Sequence, residues 1–322
     1  MKCSFISLGV ASALPTIGRY PSAHVLCIHG RLFLIDCGES TQILLKKHGI
    51  SLMKINNIFI SHIHGDHIFG LFGLLSTMSL LHRETSINIY APRDAADIIK
   101  FIKEKFGQGF LFEINHIITD SEEGVYKILD EDYLEVYSIP LQHRIPTRGY
   151  LFKEKSGELN IIKEKIEQYH LTIDEIKSLK KGKDIIRGHR DSNLGSSSES
   201  IVTTDLNLQI LKSKEFCHKP KKLKSFAYCS DTKVFPELIE YVKGVDLLFH
   251  EATYADSEKE KAALHFHSTA SQAAAIADQA EVKELVIGHY SSRYNDLSEL
   301  LTESRKIFPN SFLAKEGLEF EF

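Results

Sequence analysis

The sequence predicts an α/β protein whose helices pack on the outer faces of sheets and whose reactive groups collect at sheet edges. Three observations carry this. Apolar runs of strand length stop at acidic residues or histidines, segments of helical patterning lie between them, and late in the chain strand, helix and strand alternate. The stretch from Met1 to Ala13, whose apolar residues are interrupted and follow a single lysine, reads as a first strand and a small-residue loop, not a signal peptide. Leu32-Phe33-Leu34-Ile35 stops at Asp36, and a helix is expected over Ser40 to His48. Ile58-Phe59-Ile60 reads as a buried strand, with helices over Ile68 to Leu81 and Asp94 to Phe106. The run from Val136 to Leu141 leads to His143, Phe226 to Ser230 stops at Asp231, and Val245 to Phe249 stops at His250-Glu251. Leu285 to Gly288 ends at His289, with helices expected at Thr269 to Gln279 and Ser298 to Ile307. Coincidence accounts for one or two strands ending in such chemistry, not for five.

At 322 residues the chain has room for one large domain or two ordinary ones, and we expect one domain, residues 1–322, with an insertion. The composition, 43% hydrophobic and 25% charged, is that of a globular protein, and no apolar run reaches bilayer length, so we expect a cytoplasmic protein with no membrane partner. Five cysteines, odd in number and without a Cys-x-x-Cys pair, argue against a disulfide framework and against a cysteine-based zinc site. A formal charge of -4 gives no global attraction for nucleic acid, so RNA binding has to rest on local basic patches. Lys177, Lys180, Lys181, Lys183, Arg187 and Arg190 form one such group, and Lys219, Lys221, Lys222 and Lys224 a second; solvated lysine is the commoner meaning of each.

The densest chemistry lies in Ser61-His62-Ile63-His64-Gly65-Asp66-His67. In an extended chain His62 and His64 point the same way, and a turn at Gly65 lets Asp66 and His67 face a second point nearby. One loop thereby supplies two metals with imidazole and carboxylate, a donor set that suits zinc and that manganese and cobalt share. A polar turn with incidental histidines is the alternative, and it fits one histidine better than three with an aspartate. Sorted by chemistry, His62, His64 and His143 would hold one metal and Asp66, His67 and His289 the other, with Asp231 bridging. Singly, His143 and His289 would read as core histidines and Asp231 as a helix cap.

At these residues the sequence resembles the metallo-β-lactamase superfamily and, within it, the ribonuclease Z family of tRNA 3′-end endonucleases. The resemblance runs through Ser12-Ala13-Leu14-Pro15-Thr16 with Arg19-Tyr20-Pro21-Ser22-Ala23, Asp36-Cys37-Gly38-Glu39, Ser61 to His67, and His143 to Tyr150. It continues in Ser230-Asp231-Thr232, His250-Glu251-Ala252-Thr253, His267-Ser268-Thr269-Ala270 and Gly288 to Tyr294. The metal loop alone points to the superfamily; the His267-Ser268-Thr269 and Ser292-Arg293-Tyr294 signatures narrow it to the tRNA-processing branch.

The resemblance implies a four-layer αββα fold, two zinc ions per subunit, precursor tRNA as substrate and a homodimer. It implies Asp66 as both metal ligand and acceptor of the nucleophilic water's proton, and His267 as proton donor to the leaving oxygen. Glu251 would orient His267. Ser268, Thr269 and Arg293 would bind phosphates, and Asp36 would hydrogen-bond the metal loop from behind the ligands. His250 lies in a family motif without a place among the ligands, and His24, His29, His48, His82, His116, His170, His189, His218 and His265 are expected to play no part in catalysis. The family's tRNA-gripping arm maps to about residues 153–190, with Lys180, Lys181 and Lys183 as RNA contacts; the Gly-Pro element typical of its tip is missing, since no proline occurs from Phe152 to Lys219. The segment is expected to be an arm and a loop without a core of its own. Two rival readings are another superfamily phosphodiesterase acting on small phosphodiesters and a noncatalytic RNA-binding protein that keeps a metal for stability.

Overall fold

A computed structural model describes residues 3–14, 16–189, 207–218 and 222–322. Pro15, Arg190, the Ser- and Asn-rich stretch 191–200, Lys219 and Lys221, all used in the sequence reading, lie outside the described residues. The chain divides into two compact units, one of residues 1–154 with 224–322 and one of residues 155–223.

The larger unit holds two seven-stranded sheets. The first is built from β1 (Cys3–Gly9), β2 (Ala23–Ile28), β3 (Arg31–Cys37), β4 (Ile55–Phe59), β5 (Ile87–Ala91) and β6 (Ile114–Ile118). The second begins with β7 (Tyr126–Asp130), β8 (Leu134–Leu141) and β9 (Thr147–Glu154). A hairpin of β10 (Ile185–His189) and β11 (Asn207–Leu211) belongs to the smaller unit. After it come β12 (Ser225–Cys229), β13 (Leu247–Glu251), β14 (Glu284–Gly288), β15 (Ser311–Leu313) and β16 (Glu319–Glu321). The first sheet runs β16-β1-β2-β3-β4-β5-β6 and the second β15-β14-β13-β12-β9-β8-β7, so the last strand pairs antiparallel with the first, Phe320 opposite Phe5.

Alternation along the strands explains the layers. On β3, Phe33 and Ile35 face the second sheet while Leu34 faces the outer helices; on β4, Phe59 and Ile58 divide in the same way. Between the sheets the rings interlock, Phe5 on Phe226 at 4.9 Å and Phe59 on Phe152 at 5.2 Å between centroids. Outside the first sheet, the helices Thr41–Lys47, Gly70–Leu80 and Ala95–Phe106 cover the second apolar face through Leu44, Leu45, Leu74, Leu75, Ile99 and Ile102. Ala273, Ala274 and Ala277 of the helix Ala270–Gln279 pack on the other side of the second sheet. The expected αββα order of layers is therefore what forms.

Parallel pairing decides where the chemistry goes. β3, β4, β5 and β6 run parallel, as do β12, β13, β14 and β15, so the carboxyl ends of each set lie along one edge. Asp36, Ser61 to His67, Asp231, Glu251 and His289 are all delivered from those ends, the usual place for a site on parallel strands. Cross-sheet bonds hold the metal loop in position: the Arg148 N–H donates to the Ser61 carbonyl at 2.9 Å and the Tyr150 hydroxyl to the Ile60 carbonyl at 2.5 Å.

The expected helix from Ile68 begins earlier, as a turn over Gly65–Ile68 followed by Gly70–Leu80, which places Asp66 and His67 in helical backbone. Its entry needs glycine, because a Cβ on Gly70 would stand 1.9 Å from the Gly38 carbonyl oxygen. Gly70→Ala is therefore expected to push the helix off the loop after β3 and to destabilise the fold by about 1–3 kcal/mol, read as a lowered melting temperature.

Among the described residues of 155–223 the chain forms a compact unit with a buried cluster of its own, a correction to the expected bare arm ending near residue 190. Leu171, Leu179, Leu211, Phe216 and Cys217 make a small buried cluster, against which Ile161, Ile166 and Ile176 pack. The closing residues lie in β11 and beyond it, about 30 positions after the helix-prone half. Thr172 and Glu175 form a capping box at the helix Ile173–Lys180. Arg187 forks onto Glu175 at 2.7 Å and donates to the Tyr169 carbonyl at 2.8 Å, so this cation of the basic group is committed within the unit. Lys180 pairs with Glu158 at 2.9 Å, whereas Lys177, Lys181 and Lys183 are exposed.

Candidate metal centre

Two groups of ligand atoms converge at the strand ends. His62, His64, His143 and Asp231 place one donor atom each within 4.8 Å of one another, and so do Asp66, His67 and His289. The Asp231 carboxylate lies between the groups. Its Oδ2 is 3.7 Å from both His62 Nε2 and His143 Nε2; its Oδ1 is 3.2 Å from His289 Nε2 and 3.6 Å from His67 Nε2.

Hydrogen bonds behind the imidazoles choose which nitrogen faces inward. His67 Nδ1 donates to Asp36 at 2.8 Å, and His143 Nδ1 to the Phe266 carbonyl at 3.0 Å, which turns each Nε2 to the centre. Thr253 gives its hydroxyl proton to Glu251 at 2.8 Å, leaving its oxygen to accept from His289 Nδ1 at 3.1 Å. Asp36 is fully buried and also receives the Ser61 N–H at 2.8 Å and the Tyr228 hydroxyl at 2.6 Å, so it braces the loop without reaching the centre.

Whether these residues suit a cation can be tested on the geometry. Nitrogens of His62 and His64 face each other at 2.9 Å, those of His64 and His143 at 3.3 Å, and those of His67 and His289 at 3.2 Å. Lone pairs pointed at one another in this way call for a proton or a metal between them. Asp231 Oδ1 is buried without a hydrogen bond. Burial, then the neighbouring imidazoles, hold His62 well below the usual histidine range, the neutral state a ligand needs. For His67 burial works against charge, but Asp66, Asp36 and Asp231 outweigh it and push its pKa well up. Three carboxylates thus draw a positive charge to this point, and a bound cation would take the proton's place. The donor set fits two metal ions.

Beside this centre, burial disfavours a charged His267, yet Glu251 and Asp231 overcome it and raise its pKa to about 9. Its Nδ1 lies 3.1 Å from Glu251 Oε1. Glu251 is fully buried, and although burial would raise its pKa, His267 draws it down to about 2. Glu251 reaches the cleft through His267 and, by way of Thr253, through His289, so its part is positioning. A cleft of about 430 Å³ opens over the centre, lined by Ala13, Asp66, Arg144, Tyr254, His265 and His267 among others. The Ala13 N–H donates to Asp66 Oδ2 at 2.7 Å, and Asp66 is held well below the usual carboxylate range: burial opposes this, but His67 and His289 prevail.

Ser268 and Thr269 correct the reading of both as phosphate contacts. Ser268 is buried and its hydroxyl donates to the Thr232 carbonyl at 2.7 Å; Thr269 is buried, caps the helix Ala270–Gln279 and donates to Asp256 at 2.7 Å. Their hydroxyls are engaged in holding the backbone that follows His267. Arg293 is exposed, paired with Glu258 at 2.9 Å and laid over the Tyr254 ring at 5.1 Å. His250 is buried behind the centre, its Nδ1 donating to the Glu251 carbonyl at 2.7 Å. Sequence reasoning passed over Thr253, which joins Glu251 to His289, and it set aside His265, which accepts from Arg144 at 2.6 Å on the cleft rim. No local signal marks His265; Thr253 stood in a quoted motif without a role.

Comparison with known proteins agrees with this arrangement. A family model described as anti-Pycsar protein Apyc1 matches residues 3–106, and one for a β-lactamase superfamily domain matches residues 219–290. The human short-form tRNase Z structure superposes with a TM-score of 0.67 at 26% identity, covering 98% of each chain. The metallo-β-lactamase fold protein YhfI from Bacillus subtilis superposes at 0.66 with 16% identity over the whole of both chains, a likeness of fold. The chain is 40% identical to ribonuclease Z of Parabacteroides distasonis over 97% of its length and 96% of that protein's. It is 43% identical to ribonuclease Z of Cytophaga hutchinsonii, covering 99% and 96% of the two. With such identity along nearly the whole chain, and with the ligand groups gathered at the strand ends, this protein belongs to the ribonuclease Z family of the metallo-β-lactamase superfamily.

Proposed function

We propose that the protein removes the 3′ trailer of precursor tRNA in the cytoplasm with two zinc ions, cutting one phosphodiester and leaving a 3′-hydroxyl. The observation that carries this reading is the Asp231 carboxylate set between two histidine-rich groups, with His267 beside it, in a chain about 40% identical to ribonuclease Z enzymes. His62, His64 and His143 would hold one ion, Asp66, His67 and His289 the other, and Asp231 both. Bound there, the pair would supply Lewis-acid stabilisation of the phosphate and a water acidified to near neutral pKa.

The chain's own groups do the rest. Asp66, held by the Ala13 N–H, would accept the proton of the attacking water. His267, oriented by Glu251, would carry the proton that the leaving ribose oxygen needs, and Arg293, laid over the cleft-lining Tyr254, would supply a cation for a neighbouring phosphate once it leaves Glu258. Lys181 and Lys183, with Lys180 after it leaves Glu158, would contact tRNA phosphates. A homodimer would let the inserted unit of one subunit serve the substrate of the other.

In vitro cleavage of precursor tRNA with end mapping tests the function: a cut after the base following the acceptor stem, with a 3′-hydroxyl, is expected. The insertion is tested in the same assay. Glu154 N–H donates to the Lys224 carbonyl at 2.9 Å, so a short turn can replace residues 155–223. The shortened enzyme is expected to bind precursor more weakly and with a flatter salt dependence, while hydrolysing a small chromogenic phosphodiester at the original rate. Equal loss of both activities would remove the insertion from substrate binding.

A further inference from the structure

A second cluster of metal-ligand type lies at the far end of the same unit. Cys3 opens β1, opposite Ile28 at the end of β2. His29 follows Ile28, and with Gly30 it makes the two-residue turn that closes the β2–β3 hairpin, Ile28 pairing with Arg31. Both turn residues have positive φ, +54° at His29 and +78° at Gly30. Asparagine or glycine fills the first of these positions at lower cost, so an imidazole there is held against local preference. Glu154, the last residue of β9, completes the group. Cys3 Sγ stands 3.3 Å and His29 Nε2 2.5 Å from the same oxygen, Glu154 Oε1, and the three donor atoms lie within 4.8 Å of one another.

The surroundings suit a fixed site. Cys3 and Glu154 are buried, and the His29 ring packs beside Tyr133 at 5.8 Å. The other carboxylate oxygen, Oε2, is anchored by the Lys224 N–H at 2.7 Å. His29 is partly exposed, which gives an entry path and room for a water as fourth ligand. β9 begins at the metal loop, where Arg148 bonds Ser61, and Glu154 lies six residues further on, about 20 Å away at ~3.3 Å per residue. The cluster is therefore separate from the His/Asp centre, and it differs in kind because it contains sulfur.

We propose that Cys3, His29 and Glu154 form a further zinc-type divalent cation site. Thiolate from β1, imidazole from the β2–β3 turn and carboxylate from β9 make a three-ligand tetrahedral shell completed by water, the pattern zinc takes in its open sites. On binding, the Cys3 thiol loses its proton to solvent, the His29–Glu154 hydrogen bond opens to admit the ion, and His29 binds as neutral imidazole. The ion would pin the β2–β3 turn and the start of β1 to Glu154, which closes the root of the insertion through its two bonds to Lys224.

Cobalt(II) tests this, because the His/Asp centre holds no sulfur and only a thiolate ligand gives a near-ultraviolet sulfur-to-cobalt charge-transfer band. Full-length protein titrated with Co2+ is expected to show that band, and to bind one equivalent more than Cys3→Ser, in which the band is lost. His29→Gln, at a half-exposed turn that tolerates substitution, is expected to weaken Co2+ binding read at this band by about tenfold or more. Precursor cleavage should be unchanged in both variants. Absence of the band once cobalt binding is saturated, or its persistence in Cys3→Ser, would overturn the proposal.

Discussion

Asp231→Ala is expected to abolish precursor cleavage, by about four orders of magnitude or more, and to do so through loss of metal. Its two oxygens face different histidine groups, so on the proposed assignment one truncation would remove a ligand from both positions and the negative charge that would temper repulsion between two cations. His62→Ala and His64→Ala should empty mainly the position they share with His143. The fold is expected to survive each change, because the aromatic packing between the sheets and the helix-covered faces does not depend on the centre. Metal analysis of each purified variant, with circular dichroism and cleavage rates, decides the matter. Full metal content with lost activity would count against the ligand assignment.

His267→Ala is expected to slow cleavage at saturating RNA by about two to four orders of magnitude while leaving metal content and RNA affinity nearly unchanged. The side chain lines the cleft, and its Nδ1 is tied to Glu251, so the ring has one nitrogen for the leaving oxygen. The effect should appear in kcat and not in Kd. Free imidazole should restore part of the rate, since alanine leaves space where the ring stood. An unchanged rate at saturation would take His267 out of the reaction.

The candidate centre was legible because histidine and aspartate at the ends of apolar runs are uncommon, and parallel strands sharing an edge turn that linear pattern into proximity. Asp36 stood out for the same reason: it lies next to last in β3, beside the loop that follows β4, and accepts the Ser61 N–H of that loop. Residues with commoner chemistry were harder. Thr269 was taken for a phosphate contact, although Thr269-Ala270-Ser271-Gln272 is a capping-box pattern and the structure uses it as one. Thr253 acquires its role only when Glu251 and His289, 36 residues further on, come together in space. Short strands such as β15 and β16, three residues each, are too brief for an alternating pattern to show. The insertion's core was missed because half of it lies beyond a polar stretch that resembles a terminus of structure.

Pairing between β16 and β1 has a consequence for how the chain is made. The strand that begins at the third residue finds one of its two neighbours only in residues 319–321, so a chain still emerging from the ribosome carries β1 with one hydrogen-bonding edge bare. Such an edge is a template for pairing with other chains, and contacts of this sequence separation form late. During synthesis, β1 and its hairpin partner are thus the part of the fold that most depends on sheltering from aggregation until the last strand arrives.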